Sequence, residues 1–301
     1  GEIPLDTGRA WDGVEELAKQ LGLSVAEAAV GLLEISAWNQ ANALRQITVK
    51  RGLDVRDFTL TTFGGSGSLL LCRLVDILDL PAVLVPPEPG NVSAFGLLTV
   101  DVKNDYVQTS VALHETLDPV LVTSGFDKLS KKAGEALSKE GFAREEHLYL
   151  RTADLRYFGQ AFEVRVPVPD GRITDAALST VADAFHAEHK ALYGYDFAGD
   201  DTQQVEWVNL RVSGIGPIQR PKIVPRPATG NSPSPTGRRS VCFDAATGYR
   251  ETPVYWREEL APGNVIKGPA IIEEFGSTVP LHPGFVAHVD AYANLIVRRV
   301  P

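Results

Sequence analysis

The stretch from Asp57 to Val75, DFTLTTFGGSGSLLLCRLV, constrains the fold more than any other part of this 301-residue chain. The apolar and β-branched run from Phe58 to Phe63 predicts a strand. Gly64, Gly65, Ser66 and Gly67 follow as a turn of small residues, and the apolar run from Leu69 to Leu80 predicts a helix that begins near Ser66. Strand, glycine turn and helix is how α/β proteins present backbone N–H groups to a phosphate, with the helix N-terminus adding partial positive charge. Glycine allows close approach of the main chain and positive φ. The same four residues also suit a plain tight turn. The loop lacks the lysine of a Walker A motif and is not the GxGxxG dinucleotide fingerprint.

The rest of the chain reads as helices first and strands last. Asp6 or Thr7 caps a helix through Val14, Leu17, Ala18 and Leu21, with Gly22 as its stop. Ser24 and Glu27 form a capping box that opens a long helix with apolar positions at Ala28, Leu32, Ile35, Ala43, Leu44 and Ile47, ended by Gly52. A third helix is expected over residues 118–141 and a fourth from Thr174 to Leu192. Tyr149–Tyr157 and Phe162–Val168 alternate as strands around a turn at Phe158-Gly159-Gln160-Ala161, and Val205–Ile215 is another strand. Six prolines between residues 217 and 237 mark a linker or extended surface loop. Short runs at Ser240–Phe243, Thr252–Trp256, Ala270–Glu274, Val286–Val289 and Leu295–Arg298 predict a small barrel or sandwich. The expected domains are 1–110 with the glycine loop, 111–216 of α+β type, the linker 217–237, and a β-rich domain 238–301.

Charge and cysteine usage narrow the partners. A net charge of −9 argues against nucleic acid. No apolar run is long enough to span a bilayer and no signal peptide opens the chain, so no membrane partner is expected. Cys72 and Cys242 give neither a disulfide framework nor a zinc pattern, which fits a reducing, cytoplasmic compartment. Cys72 lies in an apolar helix and is expected to pack as a small hydrophobe.

Few side-chain constellations point to chemistry. His186 and His189 lie three apart on a helix, the spacing of a two-histidine metal pair, but no third ligand is indicated and no metal site is assigned. Glu273 and Glu274 are adjacent in a strand, so they point to opposite faces and do not share a site. Asn39, Asn42 and Arg45 interrupt the long helix and suit a solvated face. No catalytic residue is assigned.

Ordered motifs along most of the chain carry a resemblance. Phe63–Gly67, Val83–Pro87, Pro89-Gly90, Ser93-Ala94, Gly96-Leu97-Leu98 and Asp101 match the pattern FGGAG, helix, VLVPP-x-PG-x-x-SA-x-GLL-x-x-D. Asp154, Arg156-Tyr157, Gly159-Gln160 and Glu163 match D-x-RY-x-GQ-x-x-E, and His189 with Tyr193-Gly194-Tyr195 matches H…YGY. Gly268–Glu274, Pro283-Gly284-Phe285, Asp290 and Asn294-Leu295 match GPAIIEE…PPGW and VD-x-x-GNL. The chain thereby resembles the hydantoinase A / 5-oxoprolinase family, which includes subunits of acetone and acetophenone carboxylases.

The resemblance implies an incomplete α/β lobe of the actin-like ATPase type, followed by an α+β and a β-rich C-terminal region. It implies an ATP-dependent hydrolase of cyclic amides that activates a carbonyl by phosphorylation, with a ketone carboxylase subunit or a non-catalytic scaffold as alternatives. ATP would meet Gly64, Gly65, Ser66 and Gly67. Asn39, Asn42 and Arg45 would then be an edge facing the nucleotide instead of a solvated face. Mg²⁺ would be held mostly by carboxylates of an N-terminal lobe that this sequence lacks. Residue 1 is glycine and no methionine occurs, so the sequence reads as the C-terminal portion of a longer chain, inactive alone. The expected partners are that lobe, a hydantoinase B-type subunit or domain, and a small cyclic amide or ketone. Where many members follow FGGAG with Pro-Leu-His-Ala, this chain has Ser68-Leu69-Leu70-Leu71, so Leu70 replaces a histidine and offers no hydrogen bond.

Overall fold

The computed structural model describes residues 6–200, 202–228 and 232–300. They form two compact units, one of residues up to 98 together with 221 onward, the other Thr99–Arg220.

The first unit opens with α1 (Thr7–Leu21) and α2 (Val25–Lys50). Asp6 accepts from the Arg9 N–H and Gly22 takes the left-handed conformation, so α1 starts and stops where its capping residues dictate. The Ser24–Glu27 capping box fixes the start of α2. The buried face of α2 is not the one its large apolar residues suggest. Ala28, Ala37 and Ala41 are buried, whereas Leu32, Ile35 and Ile47 are exposed. Small residues let α2 approach α3, and Arg45 donates to the Ile77 carbonyl at 2.8 Å.

Next come β1 (Leu60–Thr61), α3 (Leu71–Leu78), β2 (Val83–Val85) and α4 (Val92–Leu97). β1 and β2 are parallel and α3 is the crossover between them. The strand is shorter than the Phe58–Phe63 run, and both of those phenylalanines are exposed. The helix starts at Leu71 rather than near Ser66, because residues 67–70 form successive turns first. Leu71, Cys72, Leu74, Val75 and Leu78 drive α3 into the core. Cys72 packs there as expected of an apolar residue; burial pushes its thiol up to about 12.

The C-terminal strands complete the same unit: β7 (Gly237–Cys242), β8 (Tyr249–Trp256), β9 (Val265–Lys267), β10 (Ala270–Glu274), β11 (Ser277–Leu281), β12 (Phe285–Val289) and β13 (Leu295–Arg299). Four of them build a sheet of their own, and the other three join strands from the first hundred residues. One five-stranded sheet runs β1-β2-β13-β12-β9, and a four-stranded one runs β11-β10-β8-β7. Val83, Leu84 and Val85 pair with Val297, Ile296 and Leu295. The unpaired side of β2 needs a neighbour, and β13 supplies it, so the β-rich segment 238–301 shares its core with residues before 98.

The second unit is an antiparallel sheet with two helices. Its strands are β3 (Val102–Leu113), β4 (Leu148–Tyr157), β5 (Val164–Pro167) and β6 (Val205–Gly216), in the order β3-β6-β4-β5. The helices α5 (Pro119–Lys139) and α6 (Asp175–Tyr193) are capped by Asp118 and Thr174 and pack with the strands into one core around Phe126, Tyr157, Phe185 and Trp207. β3 crosses the expected boundary at residue 110. Its half-buried positions include Asn104, Gln108 and Ser110 while Val107 and Val111 are exposed, so hydropathy does not mark it as a strand.

Among the described residues no single helix is long and apolar enough to cross a membrane. Both cysteines are free thiols.

His282 offers a test of the first core. Burial, reinforced by the Arg73 charge, holds its imidazole at about 4. The unfolded chain, with an ordinary histidine near about 6.5, therefore binds more protons between these values, and stability rises with pH across that window. His282→Gln should flatten the rise. Urea unfolding of both proteins at acid and neutral pH checks it, and parallel curves would exclude burial of His282 as the cause.

Candidate functional site

The glycine loop sits at the carboxyl ends of the parallel strands β1 and β2, where open α/β sheets place their ligands. Three contacts fix it. The Gly64 N–H donates to the Pro89 carbonyl at 2.6 Å, with Gly64 at φ 85°. The Thr62 and Ser68 hydroxyls pair at 3.0 Å in a buried position beneath the loop. A Cβ on Gly67 would lie 2.1 Å from the Phe63 carbonyl oxygen, so only glycine fits there.

Gly65 approaches the turn between β10 and β11. A Cβ added to it would lie 3.0 Å from the Gly276 carbonyl oxygen. Gly65 and Ser66 are exposed, and their backbone N–H groups have no partner among the described residues. Gly64 and Gly67 shape the loop, while Gly65 and Ser66 present it. The onset of α3 at Leu71 leaves the helix N-terminus four residues beyond Gly67, so the loop amides are the donors at this position. Leu70, in place of the family histidine, is buried.

The wall beside the loop holds charges that the sequence did not bring together. Arg257 follows β8 and is only 5% exposed. Its Nη2 donates to the carbonyls of Val85 at 3.1 Å and Ala293 at 2.8 Å. Burial lowers Arg257 to about 10, and burial raises Glu274 although Arg257 attracts its charged form. Glu274 accepts from the Glu88 N–H at 3.0 Å, whereas Glu273 pairs with Arg239 at 2.8 Å. The two glutamates thus serve different neighbours. Asn39 and Asn42 are exposed on α2, and neither borders the loop's contacts.

In the second unit the D-x-RY-x-GQ-x-x-E residues cross-link the sheet. Asp154 is buried and accepts from Arg211 at 2.5 Å, Arg165 at 3.0 Å and Asn209 at 3.0 Å. Burial works against its ionisation, but these donors together hold the carboxyl below the usual range. Arg156 pairs with Glu206, and Glu163 accepts from Asn209. Tyr157 Oη lies 2.7 Å from His186 Nδ1 and accepts from the Phe197 N–H at 2.8 Å. His189 is buried, with Nδ1 2.9 Å from the Tyr195 carbonyl and Nε2 3.4 Å from Gln160. The two histidines therefore serve separate partners, and no group of three metal-ligating side chains occurs among the described residues.

Residues 1–106 match the hydantoinase/oxoprolinase family and residues 115–300 its C-terminal domain, so the chain belongs to the hydantoinase/oxoprolinase family. It is 29% identical over 300 residues to caprolactamase subunit alpha of Pseudomonas jessenii, which covers 98% of this chain and 43% of that protein. The crystal structure of ATP-dependent caprolactamase from the same organism superposes with a TM-score of 0.73 at 28% identity, covering 99% of this chain and 44% of that one. The nucleotide-free structure of acetone carboxylase superposes with a TM-score of 0.82 at 25% identity, covering 99% and 43%. These neighbours give the chain the fold class that the motifs imply, an actin-like ATPase lobe followed by α+β and β-rich parts. The chain spans 42–43% of the length of the first curated relatives it matches.

Two substitutions separate shape from network. Gly67→Ala should cost about 1–3 kcal/mol in urea unfolding, because a backbone carbonyl cannot step aside as a side chain can. Asp154→Asn should cost a similar amount at neutral pH, about 1–3 kcal/mol given its part-exposed partners. Because the folded-state value is depressed, the Asp154→Asn deficit should vanish as pH falls through and below the carboxylate range. A deficit that persists in acid would mean that packing, not charge, is responsible.

Proposed function

We propose that this chain forms the nucleotide-facing part of an ATP-dependent amidohydrolase of cyclic amides, with ATP meeting Gly64, Gly65, Ser66 and Gly67. One observation carries the reading: the unpaired, exposed amides of Gly65 and Ser66 at the carboxyl ends of parallel strands. Backbone donors held in place stabilise phosphoryl oxygens without reorganisation. ATP would supply the phosphoryl group that activates an inert carbonyl oxygen. The protein's own contribution is to hold the anion against the loop and keep the main chain from collapsing onto it. The residues fit an anion here. For Mg²⁺ no group of three carboxylate, histidine or cysteine side chains occurs among the described residues, and its ligands are assigned to a further lobe.

That lobe, and a hydantoinase B-type partner, belong to the same proposal. Leu32, Leu33, Ile35 and Trp38 on α2 and Trp11 on α1 are exposed, and large exposed apolar side chains such as these suit a docking face for that lobe. The identity to caprolactamase favours a cyclic amide as substrate. The higher TM-score to acetone carboxylase supports a second reading, a subunit of a ketone carboxylase. In either case we propose a cytoplasmic protein, a reading that two free thiols support.

A charge pair at one exposed position tests the site. In the full-length protein, Ser66→Glu should weaken ATP binding by about tenfold or more through repulsion at close range, with unchanged melting. Ser66→Lys should not weaken it. Calorimetric titration of both variants decides the point: equal affinity in Ser66→Glu and Ser66→Lys would remove the nucleotide from this loop.

A further inference from the structure

Beside the glycine loop the first unit holds a cavity of about 770 Å³, also at the carboxyl ends of β1 and β2. This volume suits a small organic ligand. Pro86, Pro87, Phe95 and Tyr292 give the lining its apolar, ring-rich character, and Asn91 and Arg226 add polar groups.

Arg226 is anchored by its main chain, whose N–H donates to the Ala291 carbonyl at 2.7 Å. Its guanidinium has no hydrogen-bond or carboxylate partner among the described residues. A second cation lies behind the same walls. Arg257 holds the carbonyls of Val85, next to Pro86, and Ala293, next to Tyr292, and its buried Nη1 has no partner. Backbone strain gathers here as well. Glu88 at φ 50° and Ala293 at φ 64° are two of the three non-glycine residues with positive φ among those described, and such strain concentrates at ligand sites.

We propose that this cavity binds a small organic monocarboxylate with a flat apolar body, its carboxylate paired with Arg226 and its ring packed on Phe95 and Tyr292. Arginine forms bidentate pairs with carboxylates, and aromatic walls favour a flat body over an extended polar one. Glu88, also in the lining, discriminates against polyanions, so the site differs in charge preference from the glycine loop. Binding of such a carboxylate does not depend on the nucleotide reading.

Benzoate is the probe, with benzyl alcohol as its neutral counterpart, titrated calorimetrically into the full-length protein. Benzoate should bind saturably at one site and benzyl alcohol far more weakly. Arg226→Gln should weaken benzoate by about tenfold or more, the loss expected of a charge-assisted pair, and Arg226→Lys should recover part of it. Phe95→Ala should weaken both ligands. Arg226 is exposed, so these variants should melt as the parent does. Absent saturation, equal binding of the two probes, or unchanged affinity in Arg226→Gln would overturn the proposal. So would competitive displacement of benzoate by ATP together with an equal loss of ATP affinity in Arg226→Gln, which would make the cavity part of the nucleotide site.

Discussion

The three residues of β2 are the constraint on which the first unit depends. Val83–Val85 pair in parallel with β1 on one side and antiparallel with β13 on the other. The parallel side brings the glycine loop to the strand ends. The antiparallel side brings in β13, which lies more than two hundred residues later in sequence. Val83 and Val85 are fully buried, so the pairing is also the centre of the core. At its end Arg257 closes the arrangement by holding the carbonyls of Val85 and Ala293 together. A buried cation with one unmatched donor is costly unless its remaining hydrogen bonds are good. Here they tie the end of β2 to the loop that leads into β13, reinforcing the ladder that pairs Val85 with Leu295.

In the second unit the fold itself ties the polar motif residues to one another. Asp154, Arg156, Tyr157, Gln160 and Glu163 each have a partner in the sheet or on α6. A half-satisfied polar network inside a sheet is worse than an apolar one, which explains why the residues occur together. His189 belongs to this network: both ring nitrogens face polar partners, and its ring lies against Tyr157, Tyr193 and Tyr195.

Helix ends were legible in sequence because capping is local. Asp6, Ser24 and Thr174 cap where they stand and Gly22 stops its helix, whereas α3, which has no side-chain cap, starts five residues later than its apolar run suggests. The buried side of α2 was not legible, since alanines face inward and large apolar residues outward, the reverse of an amphipathic pattern. β9 escaped notice because it has only three residues, and β11 because Pro280 argues against a strand there. The sharing of sheets across the chain was hidden for a different reason: strand partners are chosen by hydrogen-bonding edges, and one sequence carries no mark of which edge is free. The glycines of the loop were legible, but their division of labour was not. Gly67 is fixed by the Phe63 carbonyl and Gly65 by the approach of Gly276, a residue far away in sequence. Arg257 and Arg226 gave no signal at all, because their environment is made by loops from three separate parts of the chain.

Magnitudes decide what the glycine loop can accomplish. A hydrogen bond to a charged acceptor contributes about 1.5–3 kcal/mol, so two free amides supply about 3–6 kcal/mol before the cost of immobilising a ligand. Millimolar affinity alone takes about 4 kcal/mol, and association costs at least about as much again. Two amides therefore cannot hold a phosphate by themselves. The net charge of −9 adds no help, although screening confines its effect to within about 10 Å. The loop is suited instead to orienting an anion whose affinity comes from other groups. This is the behaviour expected of one wall of a cleft and not of a complete binding site.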